Sequence, residues 1–175
     1  MVTMSPDMLF NIHLVLGYLA CFLCFRAYFW PKLKSMESFD AQRVIATVHS
    51  FRFFGLVFIL PGVVGFSLPA SFATFAAYGD LATGVLALLA LLAIRVRPLF
   101  WTFAVAFNFV GVVDLVVDYY HAVRAGLPAL AGQLGATYAI PIIYVPALMI
   151  THIAAFYLLL SSQPKAAIVG DVVGT

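Results

Sequence analysis

Five stretches of the chain are long and apolar enough to cross a bilayer as helices, at about 8–30, 44–66, 72–94, 98–122 and 137–161. Each supplies the roughly 20 mainly apolar residues that the hydrocarbon thickness demands. The polar positions between them fall in short runs. Pro31 to Arg43, with Lys32, Lys34, Glu37 and Asp40, reads as a hydrophilic loop, and Arg95 and Arg97 mark a very tight connection. The link Ser67 to Ser71 carries no charge. The stretch 123–136, with Gly126, Pro128, Gly132 and Gly135, is predicted to lie along the membrane surface as a short helix or loop. The pattern thus predicts an all-α integral membrane protein. Residues 1–161 form one compact bundle of five transmembrane helices, and 162–175 form a flexible cytoplasmic tail. The first span is expected to be retained, since no basic residue precedes it and no small-residue cleavage site follows.

Composition removes the soluble alternatives. With 65% hydrophobic and 9% charged residues among 175, too little polar surface exists to coat a soluble globule. The net charge of +2 comes without a basic stripe, so no footprint for nucleic acid is present. Cys21 and Cys24 lie inside the first span and read as small packing residues.

Basic residues fix the expected orientation. With five spans, Arg26, Lys32, Lys34, Arg43, Arg95, Arg97 and Lys165 fall on one face and only Arg124 on the other, which predicts N-out/C-in. Trp30 and Trp101 then belong to the inner boundary, and Tyr78, Tyr119, Tyr120 and Tyr138 to the outer one. A bacterial-type inner membrane is the expected setting. Pro61, Pro141 and Pro146 are expected to kink their helices and open a cavity toward the outer leaflet. Gly17, Gly55, Gly62, Gly84 and Gly111 are expected to let helices pack closely. No internal repeat supports an inverted-repeat transporter.

Ionisable groups deep in a bilayer cost a few kcal/mol or more and therefore face the bundle interior. Gly111, Asp114, Asp118 and His121 share one face of the fourth span. By helical rise Asp114 and Asp80 stand about 24 and 21 Å above the inner boundary, and Arg52 about 12 Å, within reach through its long side chain. A buried pair of Arg52 with Asp80 or Asp114 is expected. Together with Asp118 these residues predict a polar cavity that binds or conducts a small ligand or protons. His49 and Arg52, three apart, also suggest a clamp for a phosphate or carboxylate head group.

The histidines suggest a different chemistry. His49 and His152 fall near the inner side and His13 and His121 near the outer, so they are candidate ligands for b-type haem in a membrane electron carrier. An accessory subunit held by a membrane-protein partner is a third reading. An intramembrane enzyme acting on lipid or isoprenoid is a fourth, although no catalytic motif occurs and no span carries a lysine for a Schiff base. The bilayer itself is the partner common to all four.

Overall fold

The structure, a computed structural model, describes residues 4–161; the expected cytoplasmic tail and Lys165 lie outside them. Helix α1 (Pro6–Cys24) begins at Ser5, whose hydroxyl accepts the Met8 N–H at 3.3 Å, with Asp7 in the first turn where the helix dipole favours an anion. It runs on through a π-helical turn at Phe25–Phe29 into α2 (Trp30–Ser35). The loop expected over 31–43 is therefore mostly helix. After a break at Met36 and Glu37 the chain re-enters helix as α3 (Ser38–His49). Charge was misleading here because it serves helix ends. Lys32 and Lys34 occupy the last turn of α2 and Asp40 the first turn of α3, each where the dipole favours its sign.

At Ser50 the helix tightens into a 3-10 helix, Ser50–Ile59. His49, Arg52, Gly55 and Phe58 recur every three residues and all are buried. In a 3-10 helix residues i and i+3 eclipse, so the four form one straight stripe; in an α-helix each step would rotate by about 60°. That stripe packs along α4 (Ala70–Leu92). Pro61 falls in the turn that follows, so it ends this element and does not kink a span. Gly62, expected at a helix interface, has φ of 81° and open space where a Cβ would stand; it is a turn glycine.

The chain continues through α5 (Arg97–Arg124), a 3-10 segment at Ala131–Tyr138, a π-helical turn at Ile140–Tyr144 and α6 (Val145–Leu160). No strand occurs among the described residues. Four runs, Pro6–Ser35, Ala70–Leu92, Arg97–Arg124 and Ile140–Leu160, are long and apolar enough to cross a membrane. The chain is a multi-pass helical membrane bundle. The second segment expected to span, 44–66, differs from the others because it is α-helix, then 3-10 helix, then turn.

Packing divides the bundle into layers. One apolar cluster contains Phe10, Phe58, Leu68, Phe72, Leu127, Leu134 and Ile140. The other contains Leu33, Ile45, Ala90, Phe100, Phe107 and Leu158. Between them along α4 and α5 lie Asp80, Thr83, Asn108 and Asp114, all buried. Two dry cores thus enclose a polar layer.

Candidate functional site

Arg52 is the hub of that layer and has no exposed surface. Its Nε donates to Asp80 Oδ1 at 2.6 Å, and Nη2 stands 2.6 Å from the same oxygen while donating to Asp114 Oδ2. Nη1 donates to the Gly111 carbonyl at 3.4 Å and to His152 Nε2 at 3.3 Å. A guanidinium has five N–H donors and no acceptor, so every donor of Arg52 is directed at a partner. Arg52 therefore has no donor left for the outside anion that a His49–Arg52 head-group clamp would hold.

Because arginine only donates, His152 Nε2 must be the unprotonated nitrogen. Its Nδ1 then donates to Asn108 Oδ1 at 2.9 Å. Asn108 Nδ2 donates in turn to the Ala104 carbonyl at 2.8 Å and to Gln42 Oε1 at 3.3 Å. Gln42 Nε2 ends the chain on the Ala155 carbonyl at 2.9 Å. One charged residue therefore orients a polar network that joins α3, α5 and α6 to the 3-10 helix, with His152 held neutral. Gln42 and Asn108 are not ionisable and so did not stand out, but a buried amide inside an apolar stretch is itself a signal, since it must find partners.

Haem does not fit these histidines. A bis-imidazole haem needs one ring on each face of the macrocycle, each aiming a lone pair at the iron. The His49 and His152 ring centroids are 3.9 Å apart with planes tilted by 32°, which leaves no room for a macrocycle between them. Their Nε2 atoms are also engaged, His152 with Arg52 and His49 with Thr151 Oγ1 at 3.0 Å. His13 and His121 have separate surroundings. His13 Nδ1 pairs with the Tyr138 hydroxyl at 2.9 Å, and His121 packs on Phe75 and Tyr120. Rise along the helices set the heights of these rings but not their facing.

Glycines make the network possible. A Cβ on Gly55 would strike the Asp80 carboxylate, one on Gly79 the Asp114 carboxylate, and one on Gly111 the His152 ring and Arg52 Nη1. Their missing side chains are the space in which the charged groups meet.

Beside the network is a cavity of about 120 Å³. Phe10 and Leu14 of α1, Phe58 of the 3-10 helix, Phe72 and Ala76 of α4, Leu115 and Ala122 of α5, and Ile140 give it apolar walls. Of the four residues expected to line a polar cavity, Asp80 and Asp118 do so, whereas Arg52 and Asp114 are buried and paired behind that wall. Asp118 follows Asp114 by one helical turn, and its Oδ1 is buried without a hydrogen-bond partner. Helix α1 forms the outer wall yet buries only Phe10. It is fastened by His13 to Tyr138, by the Tyr18 and Tyr119 hydroxyls at 2.7 Å, and by the Cys21 thiol on the Ile143 carbonyl at 3.6 Å.

Comparison with curated proteins and with solved structures gave no match. A family model does match, over residues 9–160, a span that holds the charge network and the cavity alike, and the chain belongs to that family, described as Domain of unknown function (DUF8737).

Proposed function

We propose that this is a five-span membrane protein, N-out/C-in, whose intramembrane carboxylates bind protons or a small cationic ligand. The observation that supports binding is charge balance. One guanidinium, Arg52, faces Asp80 and Asp114, and Asp118 lies one turn beyond, so among the described residues a single positive charge stands against three carboxyl groups. In a medium of low dielectric such an excess is too costly to remain bare, and protons or a cation must balance it.

Infrared spectroscopy of the full chain in lipid nanodiscs, free of sodium and added ligand, tests this. The C=O stretch of a protonated carboxyl is expected at neutral pH and is expected to diminish in Asp118→Asn. A spectrum with carboxylate bands alone would sink the proposal.

The fifth crossing is supported by the layers. Ile45 of α3 belongs to one apolar cluster and Phe58 of the 3-10 helix to the other. The twelve residues of α3 rise about 18 Å and the ten of the 3-10 helix about 20 Å, together more than the roughly 30 Å of hydrocarbon. In a chain with Cys21 and Cys24 replaced by serine, Ser67→Cys is expected to react with an impermeant maleimide on intact cells. Lys34→Cys is expected to react only after permeabilisation. Labelling of both from one side would remove the crossing between them, and a reversed pattern would invert the orientation.

A further inference from the structure

The cavity holds two kinds of surface that rarely meet in one small space. Phe10, Phe58 and Phe72 supply aromatic walls. Asp80, only 4% exposed, reaches the same space with Oδ1 already held by Arg52, and half-buried Asp118 lines it with a carboxyl whose Oδ1 is buried without a partner. We propose that this cavity binds a small lipophilic ammonium ion. Its charged head sits on Asp118 and Asp80 and its apolar body, about one ring in size, rests on the phenylalanines.

Three features select this occupant. The surplus of carboxyl groups over guanidinium favours a cation and repels an anion. Aromatic faces stabilise a desolvated ammonium as well as an apolar body. The volume, about 120 Å³, is of the order of the roughly 150 Å³ apolar cavity that accepts benzene, so a single ring fits. Entry has a route as well. Asn11 of α1 and Val123 of α5 line the cavity and are exposed, so they form its rim between two helices joined by the Tyr18 and Tyr119 hydroxyls. A lipophilic amine dissolved in the bilayer arrives at that rim with its head already near the carboxylates.

This inference rests on the cation-binding reading and narrows it to one class of ligand. Isothermal calorimetry on the full chain in nanodiscs, with benzylamine, benzyl alcohol and phenylacetate as probes, separates the possibilities. Benzylamine is expected to bind at least about tenfold tighter than benzyl alcohol, and phenylacetate not at all. Asp118→Asn is expected to erase that preference, Asp118→Glu to keep it, and Ala122→Leu, which fills the cavity from α5, to abolish binding of both neutral and charged probes. Thermal unfolding of each variant shows whether it is folded, and Asp118→Glu against wild type gives the comparison if the asparagine variant is not. Equal affinity for amine and alcohol, or no amine binding by folded wild type, overturns the inference. If amine fails to bind while the infrared carboxyl signal of Asp118 is present, the inference falls and the proton-binding reading stands; if both are missing, both fall.

Discussion

Replacing Arg52 with methionine is expected to destabilise the protein by about 3–5 kcal/mol, because it leaves Asp80 and Asp114 buried without their counter-charge. The size of the effect comes from what is left behind, more than from the attraction lost. Two carboxyl groups, each about 4% exposed, would lose their donors together, and His152 Nε2 and the Gly111 carbonyl would lose theirs. Neutralising the partners should therefore restore most of the loss. In thermal unfolding followed by tryptophan fluorescence, Arg52→Met is expected to melt far below wild type. Arg52→Met with Asp80→Asn and Asp114→Asn is expected to recover most of the difference. Arg52→Lys should fall between, since it keeps the charge but offers three donors from one point in place of a planar fork of five. An unchanged melting temperature in Arg52→Met would show that Arg52 does not hold this layer together.

The parts of the fold that follow from length and hydropathy were open to reading. Residues 72–94 and 98–122 are recovered within a few positions as α4 and α5, because a long apolar stretch has few alternatives in a bilayer. The levels of Asp80 and Asp114 follow from rise per residue, and the two carboxyl groups do meet at one guanidinium. Rotation about a helix axis is less accessible. A shared position near the inner side suggested that His49 and His152 flank a cofactor, but the two rings touch each other, with both Nε2 atoms taken by Thr151 and Arg52 and His152 Nδ1 by Asn108. The 3-10 helix was hidden for a related reason. Hydropathy averages over residues and discards phase, and the period of three in His49, Arg52, Gly55 and Phe58 shows only when compared with 3.6. That change of period has a consequence for the site. It turns Arg52 to the same side as Gly55, which faces Asp80, so the local helix type sets where the guanidinium points.

Gly111→Ala is expected to cost about 3 kcal/mol or more, a large effect for one methyl group. The new Cβ would collide with the His152 ring and stand 2.8 Å from Arg52 Nη1. Neither neighbour can yield cheaply. The His152 ring is held by Asn108 on its far nitrogen and lies against His49, while Arg52 is tied to two carboxylates. Ordinary overpacking is relieved by a shift of a flexible apolar end, but here relief requires breaking a charged hydrogen bond in a dry layer. Thermal unfolding should therefore show Gly111→Ala far below wild type and Gly132→Ala, where a Cβ meets open space, close to it. Adding His152→Ala to Gly111→Ala removes the ring that the methyl strikes, so the double variant is expected to lose much less than the sum of the two single losses. Strict additivity would mean that the collision is relieved elsewhere and that Gly111 is not the space in which the ring and the guanidinium meet.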